Sequence, residues 1–98
     1  MAQRVVIVTG GAQGIGKAIV QRFLRRDCAV MIADRDAEAG RETLREYAAL
    51  GTLGCWATDV ADEEQVARLV ARTVSDFGGI DVLVNNAAIA TAHGAAVA

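Results

Sequence analysis

Four short apolar runs, separated by helix-like stretches, restrict the fold of this chain more than any other feature. The first run, after Arg4, consists of β-branched residues and has no polar alternation. Strands that are buried on both faces have this character, which is typical of parallel sheets covered by helices on both sides. The predicted strands are RVVIV (4–8), AVMIA (29–33), TLGCWAT (52–58) and IDVLV (80–84).

The stretches between these runs have the apolar spacing of amphipathic helices. In the first, over residues 15–26, one helical face is expected to be buried, and it carries Ile15, Ala18, Ile19 and Phe23, with Val20 one step round. The third begins behind D-E-E-Q (62–65), an Asx variant of the capping box. The order β-α-β-α-β-α-β predicts an α/β fold, a parallel sheet with right-handed crossovers and helices on both faces.

Length and composition exclude several classes of protein. The 98 residues suit one domain, predicted at 1–90, followed by a loop or disordered tail at 91–98. A net charge of −2 argues against a nucleic-acid partner, and the lack of a long apolar run argues against a membrane span. Cys28 and Cys55 lie in no CxxC or Cys/His cluster, so we expect no metal site and a reduced, cytoplasmic protein.

A glycine-rich turn, TGGAQGIG (9–16), joins the first predicted strand to the first helix. The unpaired N–H groups and the dipole of a helix N-terminus attract an anion, typically a phosphate. Side chains would block its approach, so glycine is expected at the contact points. The spacing is not G-x-G-x-x-G, and no Lys-Ser/Thr pair follows, which excludes a Walker A loop. A tight turn without a ligand is the alternative.

Asp34 ends the second predicted strand, eighteen residues after Gly16. A carboxylate at this point can accept hydrogen bonds from the ribose hydroxyls of an adenosine. It would repel a 2′-phosphate, so Asp34 favours NAD over NADP. The neighbouring Arg35 leaves a second interpretation open, because a guanidinium could approach such a phosphate. A solvated loop arginine is the simpler interpretation.

Two further polar motifs follow the third and fourth predicted strands. Asp59 and Val60 come directly after the third strand, and Asn85-Asn86 and two alanines follow the fourth. Ligands of open α/β sheets bind at the carboxyl ends of the strands. Asp59 could accept from an adenine amino group, and Val60 offers apolar contact. A helix-capping aspartate and a simple Asn-Asn loop are the alternatives.

Together, TGGAQGIG, AD (33–34), DV (59–60) and NNAA (85–88) preceded by DVLV resemble the N-terminal half of the short-chain dehydrogenase/reductase family. The resemblance covers residues 4–90. It implies a Rossmann-type fold, a doubly wound parallel sheet truncated to about four strands in the order 3-2-1-4. It also implies a bound dinucleotide, and hydride transfer between the nicotinamide and an alcohol or carbonyl substrate. The family more often has N-N-A-G in the last motif, so Ala88 is a small departure that bears only on the local loop shape.

The resemblance also implies a role for each matching residue. The residues expected to wrap the pyrophosphate are Gly10, Gly14, Ile15 and Gly16, with Gln13 beside them. Asp34 is expected to hold the adenosine ribose, with Arg35 next to it, and Asp59 and Val60 the adenine. The loop of Asn86, Ala87 and Ala88 is expected near the nicotinamide ribose, tied to the first strand by a hydrogen bond from Thr9.

The catalytic residues of the family have no match here. Members transfer hydride with a serine and a Y-x-x-x-K pair, which lie beyond the matched region. Tyr47, Lys17 and Ser75 are the chain's one tyrosine, lysine and serine, and Gly51 stands where Y-x-x-x-K requires lysine. No catalytic residue is therefore assigned, and we interpret the chain as a truncated cofactor-binding half.

Two other interpretations stay open at this point. The chain could be a non-catalytic module that binds a dinucleotide or a partner. A glycine-loop protein for S-adenosylmethionine is disfavoured, because TGGAQGIG and NNAA occur together. In either case the fourth strand would be an apolar edge, so we expect marginal stability or self-association through it.

Overall fold

Strands and helices alternate through residues 3–87, the part of the chain that this computed structural model describes. Ala88 and the tail predicted at 91–98 lie outside these residues. The elements, in chain order, are β1 (Val5–Thr9), α1 (Gly14–Arg25), β2 (Ala29–Asp34), α2 (Ala37–Tyr47), a 3-10 helix (Ala48–Leu50), β3 (Leu53–Ala57), α3 (Glu63–Phe77) and β4 (Val82–Asn85). Within residues 3–87, no helix has both the length and the apolar character that crossing a bilayer requires.

The strands form one parallel sheet in the order β3-β2-β1-β4, which confirms the predicted topology. Thr9, at the end of β1, lies beside Ala33 of β2 and Asn85 of β4. Asp34 lies beside Ala57 of β3. The carboxyl ends of the four strands therefore meet at one edge, where the polar motifs follow them.

The two central strands, β1 and β2, are buried on both faces because helices cover each side. Val6 and Val8 of β1 pack in one core cluster with Val20 and Leu24 of α1, and Tyr47 of α2 joins it. The alternate residues of the two strands pack on the opposite face, where α3 contributes to the core. This second cluster contains Ile7, Met31, Ala33 and Leu69, with Trp56 and Phe77 against it. The runs of β1 and β2 thus have the burial expected of a doubly wound sheet. The outer strands do not, since β3 is mostly half-buried and β4 alternates between half-buried and exposed residues.

The buried face of α1 agrees only in part with the predicted one. Val20 is buried as predicted, whereas Ile15 is 75% exposed, and the other buried positions are Gly16 and Leu24. Ile19 and Phe23 are only partly buried beside them. The helix is turned so that Gly16 lies against the backbone of Gly10. That close approach, which the apolar spacing does not encode, selects the face that meets the sheet.

Only half of the predicted capping box forms at the start of α3. The Asp62 carboxylate accepts from the N–H groups of Glu64 at 3.0 Å and Gln65 at 3.3 Å, as an N-cap should. The Gln65 side chain does not return to the Asp62 N–H, because that group already donates to the Asp59 carbonyl at 3.0 Å. Gln65 Oε1 instead accepts from the Asp59 N–H at 2.7 Å.

Candidate functional site

A cleft of about 480 Å³ lies at the carboxyl edge of the sheet. Its volume is within the range of small-molecule sites. Most of its walls come from residues that directly follow a strand. The lining residues are Gly10, Gln13, Ala33, Asp34, Arg35, Thr58, Asp59, Val60, Ala61, Asn86 and Ala87.

The cleft brings together most, but not all, of the residues predicted from the sequence. Gly14 and Ile15 are exposed and Gly16 is buried in the first turn of α1, and Thr9 is buried at the end of β1. Ala88 is outside the described residues. The sequence argument missed the lining residues Ala33, Thr58 and Ala61. Each of these is the chain neighbour of a predicted residue or pair, and that adjacency was the only signal available.

Glycines in the turn between β1 and α1 are required for different reasons. Gly10 has φ +65°, and a Cβ there would come within 3.1 Å of Asn86 Nδ2 and 3.3 Å of Ala87 Cα. A Cβ on Gly16 would collide with the Gly10 carbonyl oxygen. Gly14 has open space around it but a φ of +53°, which disfavours any other residue. Close packing within the protein, and not only room for a ligand, therefore demands Gly10 and Gly16.

The N-terminus of α1 is left without a side-chain cap. Gln13 is the N-cap residue, but its side chain makes no capping hydrogen bond, and the first turn carries no acidic residue. The Gln13 amide instead donates to Asp36 Oδ2 at 3.2 Å. The first amides of a helix have no intrahelical acceptors. The amides of Gly14, Ile15 and Gly16 and the positive end of the helix dipole are thus suited to an anion.

Asp34 is held by the backbone on both sides of the cleft. Its Oδ2 accepts from the Ala12 N–H at 3.1 Å, and its Oδ1 accepts from the Asp36 N–H at 3.0 Å. The buried Thr43 hydroxyl of α2 donates to the Ala12 carbonyl at 3.1 Å. Both the N–H and the carbonyl of Ala12, in the glycine turn, are therefore hydrogen-bonded to side chains. A carboxylate oxygen has more than one acceptor site, so Asp34 keeps capacity for ligand donors.

The loop after β3 presents a second carboxylate to the cleft. Asp59 Oδ1 accepts from the Ala61 N–H at 3.0 Å, whereas Oδ2 has no hydrogen-bond partner among residues 3–87. The Thr58 N–H donates to the Asp34 carbonyl at 2.9 Å, which joins this loop to the end of β2. The two acidic residues are therefore positioned by a connected set of backbone hydrogen bonds.

Thr9 connects β1 to the loop that follows β4. Its hydroxyl oxygen accepts from the N–H groups of Asn86 at 2.9 Å and Ala87 at 3.0 Å. The hydroxyl proton can be donated to Asn85 Oδ1 at 3.2 Å or to the Val84 carbonyl at 3.3 Å. The contact expected between Thr9 and the Asn-Asn turn is present for the part of the turn that is described.

Lys17 and Tyr47 come together away from the cleft. Lys17 Nζ lies 2.8 Å from Glu46 Oε1 and 5.6 Å from the centroid of the Tyr47 ring. The hydrogen bond that Lys17 donates to Glu46 raises the pKa of Lys17, because it favours the charged ammonium. Tyr47 is buried in the core, and neither residue lines the cleft. The contact therefore joins α1 to α2 and does not serve the site.

The half-buried Cys55 lies on β3, close enough to Asp34 for that charge to act on its thiol. Burial, and secondly the charge of Asp34, raise the pKa of this thiol, while Arg41 acts in the opposite direction. A raised pKa leaves little reactive thiolate at neutral pH. Among the described residues, no three His, Cys, Asp or Glu side chains are grouped so that they could hold a metal ion.

Comparison with known proteins gives one consistent result. A family model described as short chain dehydrogenase matches residues 4–97. An uncharacterized oxidoreductase of Thermotoga maritima is 51% identical over 89 residues, which cover 88% of this chain and 34% of that protein. The chain thus spans about a third of the length of that relative.

Solved structures agree in fold. A short chain dehydrogenase from Mycobacterium smegmatis superposes with a TM-score of 0.85 at 35% identity, over 92% of this chain and 39% of that one. A 7α-hydroxysteroid dehydrogenase, complexed with NADH and 7-oxo glycochenodeoxycholic acid, has a TM-score of 0.86 at 30% identity. That alignment covers 92% of this chain and 36% of the dehydrogenase.

Proposed function

The chain belongs to the short-chain dehydrogenase family, and on that premise we propose that it binds NAD in the cleft at the carboxyl edge of the sheet. One observation carries the proposal. The uncapped N-terminus of α1 and the carboxylates of Asp34 and Asp59 belong to loops that meet around a single cleft. Amides for a pyrophosphate, an acceptor for ribose hydroxyls and an acceptor for an adenine amino group are thereby available together.

The residues around the cleft fit a bound NAD. The amides of Gly14, Ile15 and Gly16 would hold the pyrophosphate, and a Cβ on Gly10 would intrude on the loop of Asn86 and Ala87. Asp34 would accept from the adenosine ribose. Asp59 and Val60 would contact the adenine, and Asn86, Ala87 and Ala88 would flank the nicotinamide ribose. Bound there, the cofactor would supply hydride exchange with an alcohol or carbonyl substrate.

The overall reaction is proposed for a protein in which this chain is joined to a catalytic serine and a Y-x-x-x-K pair. Within residues 3–87 the tyrosine and the lysine form the structural contact described above. The proposed part of this chain is to bind and orient the cofactor. A binding module without catalysis is the alternative, and turnover of alcohols with NAD by the isolated 98-residue chain would contradict our assignment of roles.

Titration calorimetry with NAD and NADP tests the cofactor proposal. We expect the wild-type chain to bind NAD more tightly, because the Asp34 carboxylate repels a 2′-phosphate. Asp34→Asn removes the charge and keeps one acceptor oxygen, so the ratio of NAD to NADP affinity is expected to fall about tenfold, the equivalent of about 1.4 kcal/mol. Tighter binding of NADP by the wild type would contradict the proposal.

Asp36→Asn is a matched control for this experiment. It makes the same change of charge two residues away, at the N-cap of α2, outside the lining of the cleft. We expect it to leave the cofactor ratio unchanged. Arg35→Ala separates the remaining interpretation, because Arg35 lines the cleft and a selective loss of NADP binding would show that its guanidinium serves the 2′-phosphate.

Self-association is the second part of the proposal. Within residues 3–87, β4 pairs with β1 on one side and with no strand on the other. Leu83 of β4 is 60% exposed, and Val70 and Val74 of α3 are 41% and 46% exposed. An open, apolar edge of this kind favours pairing with another chain.

Sedimentation velocity of the 98-residue chain checks this part. We expect a concentration-dependent dimer or larger species in the wild type, and a shift toward monomer in Leu83→Lys, because a charge at an edge opposes pairing. Leu50→Lys is the control, since Leu50 is also exposed but lies in the 3-10 helix after α2. A wild-type chain that stays monomeric and melts cooperatively would overturn this part of the proposal.

A further inference from the structure

Gln65 of α3 reaches from the helix into the loop that forms one wall of the cleft. Its Oε1 accepts from the Asp59 N–H at 2.7 Å, the shortest hydrogen bond of that loop. Its Nε2 donates to Asp62 Oδ2 at 3.2 Å, which fixes the amide in this orientation. Gln65 is only partly exposed, and it does not itself line the cleft.

Capping of the helix does not by itself require this arrangement. Asp62 satisfies the N–H groups of Glu64 and Gln65 with its own carboxylate. In a capping box the side chain at the third helical position returns to the N–H of the N-cap residue. Here that N–H donates to the Asp59 carbonyl, and the Gln65 side chain extends three residues further back along the chain.

The consequence is that Asp59 is held at three groups. Its N–H is bound by Gln65, its carbonyl accepts from the Asp62 N–H, and its Oδ1 accepts from the Ala61 N–H. These contacts leave Oδ2 as the carboxylate oxygen without a partner among the described residues. The orientation of that free oxygen depends on the Asp59 peptide, which Gln65 holds on its N–H side.

A neutral side chain suits this position. Four acidic residues precede it closely in sequence, at Asp59, Asp62, Glu63 and Glu64. A glutamate at 65 would add a further negative charge to this group, whereas the glutamine amide offers an acceptor to Asp59 and a donor to Asp62. The same amide therefore serves two partners of opposite hydrogen-bonding character.

We propose that Gln65 is a positioning residue for base recognition, holding Asp59 so that its free carboxylate oxygen accepts a hydrogen bond from the exocyclic amino group of adenine. The inference rests on the proposed binding of NAD and extends it to a residue outside the cleft. It assigns to Gln65 a part of the discrimination between adenine and bases that lack the amino group.

The test compares NAD with nicotinamide hypoxanthine dinucleotide, in which a carbonyl oxygen replaces the amino group. Calorimetry on the wild-type chain is expected to give about tenfold tighter binding of NAD, the size of one hydrogen bond to a charged group. Gln65→Met keeps the length of the side chain and removes the acceptor, so the preference is expected to fall to about twofold or less. Glu63→Met, an exposed change in the same helical turn, is the control and should retain the full preference.

The possible outcomes distinguish failure of the positioning role of Gln65 from failure of the proposed NAD binding. Loss of the preference in Gln65→Met, with binding of the hypoxanthine analogue nearly unchanged, supports the positioning role. An equal loss for both dinucleotides would assign Gln65 a merely structural role and overturn the inference. An unchanged preference would also overturn it. A wild type that binds both equally would refute recognition of the amino group while NAD binding stands, and one that binds neither would overturn the proposed function as well.

Hydrogen exchange without a ligand tests whether Gln65 restrains the Asp59 peptide. If Gln65 restrains the Asp59 peptide, exchange of the Asp59 amide hydrogen is expected to be at least about tenfold faster in Gln65→Met than in the wild type. Exchange in the core of β1 should be unchanged, because that strand does not contact Gln65. Equal exchange rates for Asp59 in the two proteins would contradict the restraint.

Discussion

Gly16→Ala is expected to lower the free energy of unfolding by about 3 kcal/mol and to weaken NAD binding about a hundredfold. The added Cβ would collide with the Gly10 carbonyl oxygen and would come within 2.6 Å of Asn86 Nδ2. A backbone oxygen cannot move away by a change of rotamer, so the first turn of α1 must shift relative to β1. That shift displaces the amides proposed to hold the pyrophosphate. Urea denaturation and calorimetry with NAD measure the two effects separately.

Two other glycines provide graded controls for this substitution. Gly79→Ala places a Cβ in open space at a φ that other residues adopt, and we expect almost no change in stability or binding. Gly14→Ala also meets no atom within 4 Å, but its φ of +53° is unfavourable for alanine, which costs about 1 kcal/mol. A Gly16→Ala protein as stable as Gly79→Ala would contradict the close packing of the turn.

Thr9→Val is expected to have the second largest effect, a loss of about 2 kcal/mol in the free energy of unfolding. Valine keeps the shape of threonine but removes the acceptor for the N–H groups of Asn86 and Ala87. These part-buried amides would then lack a partner, and the loop after β4 would detach from β1. Weaker NAD binding should accompany this, since Asn86 and Ala87 line the cleft. Denaturation, and hydrogen exchange at the two amides, are the measurements.

Thr73→Val is the matched control for Thr9→Val. Thr73 is equally buried, but its hydroxyl donates only to the Leu69 carbonyl one turn earlier in α3, at 2.7 Å. That carbonyl also belongs to the helix, so loss of the hydroxyl leaves no amide without an acceptor. We expect a change of less than about 1 kcal/mol. Thr9→Ser keeps the hydroxyl, so the amides of Asn86 and Ala87 should stay protected from hydrogen exchange. Equal losses in Thr9→Val and Thr73→Val would show that burial of the side chain, and not the loop contact, determines the effect.

The order of elements and the location of the site were predictable because both follow from local patterns. Continuous apolar runs report strands buried on both faces, and the alternation with helices restricts the connections to right-handed crossovers. The strand order itself, β3-β2-β1-β4, was implied by the family motifs, and the parallel arrangement brings the residues after each strand to one edge. Asp34, Asp59 and Asn86 therefore meet around one cleft although they are far apart along the chain.

The face of α1 and the partners of individual polar groups were not predictable in the same way. Ile15 fits the apolar spacing but is 75% exposed, since the contact of Gly16 with Gly10 turns the helix. Gln65 matches a capping box, yet its side chain accepts from the Asp59 N–H, because its usual donor, the Asp62 N–H, already donates to the Asp59 carbonyl. A spacing rule states which group is available for a contact. It does not state which distant group will compete for it.

The sequence by itself determined the parallel sheet and the edge at which polar residues collect, and its family motifs implied the strand order. Only the tertiary structure decided why the turn needs each of its glycines, how Thr43 and Asp34 hold Ala12 from both sides, and where Gln65 directs its amide. The reason is physical. Hydrophobic periodicity is averaged over many residues and survives local exceptions, whereas one hydrogen bond or one missing Cβ depends on tenths of an ångström between segments that only the fold brings together.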